Sequence, residues 1–124
     1  MKTEQVGDSI LETWTSDEVA EAFSRDEIVL IDVRTPQEYM FEHVEGALLM
    51  PMAFFDATKL PGQSDKRIVF HCGSGARSEK VARASIDAGM ARIAHMEGGF
   101  GAWKGSHKPF IGTNMATGAP QKVS

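Results

Sequence analysis

The chain contains one cysteine, Cys72, and the residues around it could support nucleophilic chemistry. The stretch reads IVFHCGSGARSEKVARA: an apolar run, the thiol, a turn of small residues, and Arg77 near the start of a helical pattern. Ligand sites in open α/β sheets lie at the carboxyl ends of strands, where the chain turns into the next helix. Backbone N–H groups of such a turn can converge on an anion, and a helix start adds partial positive charge. A thiol held there should ionise below its usual pKa, which suits a nucleophile.

Arg77 adds a permanent charge and a planar fork of donors to this turn, and both suit an oxyanion. We therefore predict Cys72 as the catalytic nucleophile. The predicted substrate- and anion-binding residues are Gly73, Ser74, Gly75, Ala76, Arg77 and Ser78. The alternative is that Cys72 is an inert buried residue, as free cysteines often are, and that the glycines only shape the turn. The strand–turn–helix placement together with the arginine favours the chemical interpretation.

Three further polar residues are interpreted as structural. Asp32 and Arg34 stand at the end of a predicted strand, and we expect a partly buried ion pair that ties the strand end to neighbouring loops. His43 is interpreted in the same way, as a residue that links a loop to the core.

The remaining histidines give no evidence of a catalytic base or a metal site. His71 precedes the thiol and should point to the opposite face of an extended strand, because side chains alternate along it. His95 and His107 have no recognisable partners in the sequence. With four scattered histidines and one cysteine, no metal-ligand spacing is present. We predict no metal and no cofactor.

The elements that position these residues follow from the alternation of strand and helix patterns. Continuous apolar runs, typical of strands buried on both faces, are EIVLIDV, GALLMPM, RIVF and ARIAHM. Capping-box spacing at Thr15/Glu18 and at Thr35/Glu38 predicts the starts of two helices. A third helix should begin near Ser78 and stop at Gly89. The alternation predicts a mainly parallel α/β sheet with helices on both faces, and an irregular C-terminal tail.

Length and composition limit the function classes. The chain has 124 residues, of which 42% are hydrophobic, and a formal charge of −4, as expected for one domain with a single core. The negative charge and the lack of a basic block argue against nucleic-acid binding. No apolar stretch is long enough for a signal peptide or a bilayer span, and one cysteine cannot form an internal disulfide. We therefore expect a cytoplasmic protein without membrane or nucleic-acid partners.

Three motifs together resemble the rhodanese family of sulfurtransferases. The first is the loop from Cys72 to Arg77. The second, DVRTPQEYMFEHVEGA, matches the family's D-V-R-x3-E-x4-H-x2-G-A signature, and the third, EGGFGAW, matches its E-G-G-x3-W signature. They span about residues 10–105 in the family's order.

The resemblance implies a three-layer α/β/α fold around a mainly parallel five-stranded sheet, with one rhodanese domain over residues 1–124 and a tail at 106–124. It also implies an activity: Cys72 takes a sulfane sulfur from a donor, holds it as a persulfide, and passes it to a thiophilic acceptor. The expected partners are a small anionic sulfur donor and a thiol or cyanide-like acceptor, with a sulfur-accepting protein as a further candidate. Thiosulfate, a small persulfide and a protein persulfide all stay open as donors.

The length of the loop separates this interpretation from a related one. Phosphatases of the Cdc25 type share the rhodanese fold but place the arginine six positions after the cysteine. Here that position is Ser78, and the shorter turn resembles the sulfurtransferase branch. A different alternative is a persulfide carrier or sensor without turnover, whereas retention of both Cys72 and Arg77 speaks against an inactive interaction module.

Overall fold

The sheet of the computed structural model has six strands in the order β1-β2-β6-β5-β3-β4, and all neighbours are parallel except β1 and β2. The structure describes residues 1–124. The strands are β1 Lys2–Val6, β2 Ser9–Trp14, β3 Ile28–Asp32, β4 Leu48–Leu49, β5 Arg67–His71, β6 Arg92–Met96, β7 Phe110–Thr113 and β8 Pro120–Val123. The helices are α1 Ser16–Ser24, α2 Pro36–Phe41, α3 Ala76–Asp87 and α4 Gly99–Gly105, with short 3₁₀ turns at Met52–Phe54 and Ala57–Lys59.

Two apolar clusters, one on each face of the sheet, produce three layers. Successive residues of β3, β5 and β6 alternate between the clusters, as side chains of a strand must. On one face, β-strand residues pack with Val19 and Ala22 of α1 and with Phe100 and Trp103 of α4. On the other face they pack with Val81 and Ala82 of α3, and this cluster also contains Cys72. The mainly parallel α/β fold with helices on both faces is therefore confirmed.

Both predicted capping boxes are present. The hydroxyl of Thr15 accepts from the N–H of Glu18 at 3.1 Å, and the Glu18 carboxylate accepts from the N–H of Thr15 at 2.9 Å. Thr35 and Glu38 form the same pair of bonds at the start of α2, followed by Pro36. Helix α3 begins at Ala76, earlier than the expected start near Ser78, because Gly75 adopts a left-handed φ of +109° and serves as its N-cap.

The sheet has six strands rather than the expected five, and the C-terminal tail is not irregular. Strand β1 is polar and exposed along nearly its whole length, so it carries no hydrophobic signal. In the tail, β7 and β8 form an antiparallel hairpin. Two backbone hydrogen bonds between His43 and Ile111, of 2.9 and 2.8 Å, hold β7 beside α2. The Phe110 ring also packs edge-on against Phe100 with centroids 5.5 Å apart.

The register brings the carboxyl ends of β2, β3, β5 and β6 to one edge of the sheet. Asp32 lies opposite His71, and His95 lies opposite both Phe70 and Thr13. The turn after β5, which carries Cys72, therefore leaves the sheet between the ends of its neighbours. No helix of the fold has the length and apolar character that a membrane crossing requires.

Candidate active site

Cys72 lies directly after β5 at the base of a tight turn, with none of its surface exposed to solvent. The N–H of Gly75 donates to its Sγ atom at 3.0 Å, and the Ser78 hydroxyl lies 3.6 Å from Sγ. Burial raises the pKa of the Cys72 thiol, but donors from Ser78 and the N–H groups of Gly75 and Ser74 outweigh it. The net result is a pKa below the ordinary value of a cysteine. The turn therefore favours a thiolate, as the sequence predicted for this position.

Two backbone hydrogen bonds from the start of α4 hold the Cys72 turn. The N–H of Phe100 donates to the carbonyl of Cys72 at 2.7 Å, and the N–H of Gly101 donates to the carbonyl of Gly73 at 3.0 Å. This approach requires a glycine at position 99, where φ is +54° and a Cβ atom would lie 2.3 Å from the Cys72 carbonyl oxygen. The third motif, EGGFGAW, thus supplies the backbone contact that fixes the Cys72 turn.

Arg77 lies at the turn, but its guanidinium is already paired. Its two terminal nitrogens donate to both carboxylate oxygens of Glu38, at 2.7 and 3.0 Å. These bonds, opposed by burial and assisted by Thr35, lower the pKa of Glu38 to about 2. Nη2 of Arg77 also borders Gly73, where a Cβ atom would meet it at 3.1 Å. The second motif therefore contributes Glu38, which aligns the arginine over the turn.

Ser78 connects the thiol to a buried histidine that sequence reasoning missed. The Ser78 hydroxyl lies 3.0 Å from Nδ1 of His95, and Nε2 of His95 lies 3.3 Å from the Thr13 hydroxyl. Burial lowers the pKa of His95, so its ring is neutral near pH 7. No local pattern in the sequence indicates this set of contacts. The register of β2 and β6 brings Thr13 beside His95, and Ser78 reaches His95 from α3.

Residues 15–106 match the rhodanese-like domain. The chain belongs to the rhodanese-like domain family. This confirms the resemblance carried by the three motifs.

Relatives of this rhodanese-like domain include proteins named as sulfurtransferases. Thiosulfate sulfurtransferase GlpE of Coxiella burnetii is 30% identical over 99 residues, which cover 80% of this chain and 87% of the relative. An uncharacterised protein of Synechocystis sp. is 35% identical over 92 residues, or 74% of this chain and 51% of the relative. This chain thus spans about half the length of the Synechocystis relative.

Among solved structures, the domain is similar to a Rhodopseudomonas palustris protein of unknown function described as a possible tyrosine phosphatase. The TM-score is 0.67 and the identity 27%, covering 79% of this chain and 83% of the other. A shared fold does not determine the chemistry, so the function of this chain has to be argued from the residues of the Cys72 turn.

Asp32 and Arg34 form the expected ion pair behind the turn of the rhodanese-like domain, and it is fully rather than partly buried. Nη2 of Arg34 donates to Asp32 at 2.8 Å and to the carbonyl of Glu42 at 2.7 Å. His71 lies beside this pair: its Nδ1 is 3.2 Å from the Cys72 carbonyl oxygen, and its Nε2 has no hydrogen-bond partner. Burial lowers the pKa of His71. These contacts join the ends of β3 and β5, and none of them reaches the sulfur.

The ring of His43 contacts α2, and its backbone forms the bridge to Ile111 of β7. Its ring stacks on Tyr39 with centroids 4.0 Å apart, and its Nδ1 lies 2.7 Å from the Tyr39 carbonyl oxygen.

Two clefts flank the Cys72 turn. One, of about 390 Å³, lies between Arg77, the start of α2 and the 3₁₀ turn at Met52–Phe54. The other, of about 370 Å³, is bordered by Thr13, the residues 74–76 and His95. Cys72 itself is buried, so a substrate reaches the sulfur only if part of the turn or a neighbouring side chain moves. Arg77 and Glu38, whose side chains are 33% and 37% exposed, form a partly exposed ion pair at the turn.

Proposed function

We propose that this rhodanese-like domain is a sulfurtransferase that moves a sulfane sulfur from an anionic donor to a thiophilic acceptor through a persulfide on Cys72. The observation that carries the proposal is the Gly75 N–H directed at Sγ from 3.0 Å within a tight turn. The predicted site, comprising Gly73, Ser74, Gly75, Ala76, Arg77 and Ser78 around Cys72, forms one continuous turn and helix start. The name and coverage of the Coxiella relative support turnover rather than persulfide carriage alone.

The reaction needs no oxidant and no cofactor. The Cys72 thiolate attacks the outer sulfur of thiosulfate, the sulfur–sulfur bond breaks, and sulfite leaves with the bonding electron pair. The new Cys72 persulfide is an anion at its outer sulfur. An acceptor such as cyanide or a thiolate then attacks that sulfur, and its bond to Sγ breaks to restore the Cys72 thiolate. Negative charge thus stays at the turn throughout, where preorganised backbone donors stabilise it without a separate base.

Arg77 binds the charge of the donor in this proposal, in competition with Glu38. A donor anion that enters from the cleft beside α2 would meet a guanidinium already oriented by two bonds to Glu38. Rotation of Glu38 away from Arg77 would free the guanidinium for the sulfonate oxygens. The pair is partly exposed, so its disruption costs about 1 kcal/mol or less.

The size of the turn favours sulfur over phosphate. Arg77 stands five positions after Cys72, and the turn is closed further by the Gly75 N–H bonded to Sγ. A phosphoryl group needs donors to each of its equatorial oxygens, whereas the outer sulfur of a persulfide is a single atom. We therefore expect sulfur transfer without hydrolysis of aryl phosphates.

Mass spectrometry after mixing with thiosulfate tests the proposal directly. The protein should gain the mass of one sulfur atom, and cyanide should remove it with formation of thiocyanate. Cys72→Ser should lose both the mass gain and the turnover, and since Cys72 is the chain's only cysteine the assignment is unambiguous. A serine variant that still turns over, or a wild-type protein that never gains sulfur from thiosulfate or a small persulfide, would refute the proposal.

A further inference from the structure

The Ser78 hydroxyl has one proton and three neighbours that compete for it. Its Oγ atom lies 3.6 Å from Sγ of Cys72, 3.1 Å from the carbonyl oxygen of Gly75 and 3.0 Å from Nδ1 of His95. A hydroxyl donates once and accepts through two lone pairs. If the Ser78 hydroxyl donates to His95, it therefore cannot donate to a thiolate or persulfide at Cys72.

The tautomer of His95 decides this competition. If Nδ1 carries the proton, it donates to Ser78, and only Sγ and the Gly75 carbonyl oxygen remain as acceptors for the Ser78 proton. Nε2 is then an acceptor, and the Thr13 hydroxyl at 3.3 Å is placed to donate to it. If Nε2 carries the proton instead, Nδ1 becomes a third acceptor and draws the Ser78 proton away from the sulfur.

We propose that His95 is a positioning residue for Cys72: it donates from Nδ1 to Ser78 and so leaves the Ser78 hydroxyl proton to the sulfur anion, which as a charged acceptor competes better for it than the neutral carbonyl of Gly75. Thr13 holds the required tautomer by donating to Nε2. No proton is transferred along this chain, because each group keeps its own proton and only the direction of donation is fixed. For catalysis the inference rests on the proposed sulfurtransferase function, but the state of the thiol can be measured without turnover.

The surroundings of His95 suit this role. The residue is 4% exposed, and burial lowers its pKa, so it is neutral at physiological pH and one tautomer must be chosen. The charged groups that face it are Glu79 and Arg83 of α3 and Glu97 after β6. Neither hydrogen bond of the ring is to a charged group, which leaves Thr13 and Ser78 to determine the tautomer.

Two variants of His95 separate positioning from simple packing. Asparagine carries its amide nitrogen as many bonds from Cα as Nδ1 of histidine, so His95→Asn can still donate to Ser78. His95→Leu keeps apolar bulk but has no donor. The pH midpoint of Cys72 alkylation by iodoacetamide should rise in His95→Leu by about half to one pH unit, a threefold to tenfold loss of thiolate near neutral pH. His95→Asn should stay close to the wild-type midpoint.

The effect must act through Ser78. Ser78→Ala should itself raise the midpoint, and adding His95→Leu to it should produce no further rise. Equal midpoints for His95→Leu and His95→Asn would overturn the proposal, as would a His95→Leu effect that persists in full without the Ser78 hydroxyl.

A measurement on the unmodified protein covers the case in which a His95 variant fails to fold. Nitrogen-15 NMR distinguishes the two imidazole tautomers, and His95 should carry its proton on Nδ1 at pH 7. Finding the proton on Nε2 would overturn the proposal. Failure of sulfur loading with the expected tautomer and midpoints would instead reject the proposed function and leave the role of His95 in place.

Discussion

Replacing Gly99 by alanine should disrupt the Cys72 turn without removing any group that reacts. The added Cβ would lie 2.3 Å from the Cys72 carbonyl oxygen and 2.7 Å from the carbonyl carbon of Gly73, so the backbone of the turn or of α4 must move by about 1 Å to restore ordinary contact. The left-handed φ of +54° adds about 1–2 kcal/mol for a residue with a Cβ. Weakening the two hydrogen bonds from α4 to the turn adds about 1 kcal/mol each. We expect the free energy of unfolding to fall by about 3–4 kcal/mol.

Gly105→Ala is the matched control, because it changes the last residue of the same helix. No atom lies within 4 Å of a Cβ built there, and its φ is not left-handed. Alanine should therefore be neutral or stabilise by up to about 1 kcal/mol through its higher helix propensity.

Urea denaturation measures the stability of both variants, and mass spectrometry measures their sulfur loading from thiosulfate. A displacement of about 1 Å at the nucleophile can reduce the rate about a hundredfold, so loading of Gly99→Ala should be strongly slowed in conditions where the variant is folded. If Gly99→Ala were within about 1 kcal/mol of wild type and loaded sulfur at the wild-type rate, the contact between α4 and the turn would not be what positions Cys72.

Four other predictions concern the site and its supports. Glu38→Gln should lower the KM for thiosulfate several-fold, because it frees the Arg77 guanidinium. Arg77→Ala should reduce activity with thiosulfate about ten- to a hundredfold, and activity with a neutral donor less. Equal losses of Arg77→Ala activity with both donors would assign Arg77 to shaping the turn. Stability should decline as pH falls below about 6.5, because His71 and His95 have lowered pKa values when folded and the unfolded chain binds those protons first. Each can contribute up to about 1.4 kcal/mol per pH unit, measured by urea denaturation, and a flat profile would show that folding does not lower their pKa values. Inserting one glycine between Gly75 and Ala76 should reduce sulfur transfer, because the donors no longer converge on one sulfur atom; unchanged transfer, or Cys72-dependent phosphate hydrolysis by the unmodified protein, would contradict the loop-size argument.

Local patterns were enough to predict strands β3 to β6 and the starts of α1 and α2, whereas β2 was not among the predicted runs and α3 begins two residues earlier than expected. The run RIVF marks β5 as a strand buried on both faces, and the capping boxes at Thr15 and Thr35 depend on residues only three positions away. The position of Cys72 after β5 followed from the same short-range signals.

What the sequence did not predict depends on contacts between distant residues. Strand β1 is polar and pairs with β2 through its backbone, so no periodic apolar signal exists for it. The tail hairpin is fixed by the backbone bridge between His43 and Ile111, which are close only after α2 and β7 have packed. The hydrogen bond between Arg77 and Glu38 joins residues 39 positions apart. The motifs contain both residues but do not show that their side chains are in contact.

The strand order has a consequence for how the protein acquires its reactivity during folding. Strand β2 pairs with β6, so the bond between Thr13 and His95 joins residues 82 positions apart in the chain. Contacts of such long sequence separation close large loops and form slowly compared with local helices and hairpins. On the ribosome, β2 is synthesised early but its partner β6 only after α3. We therefore expect Cys72 to gain its native alkylation rate late in refolding, after most helical signal has returned, which would make the thiol a reporter of the final closure of the sheet.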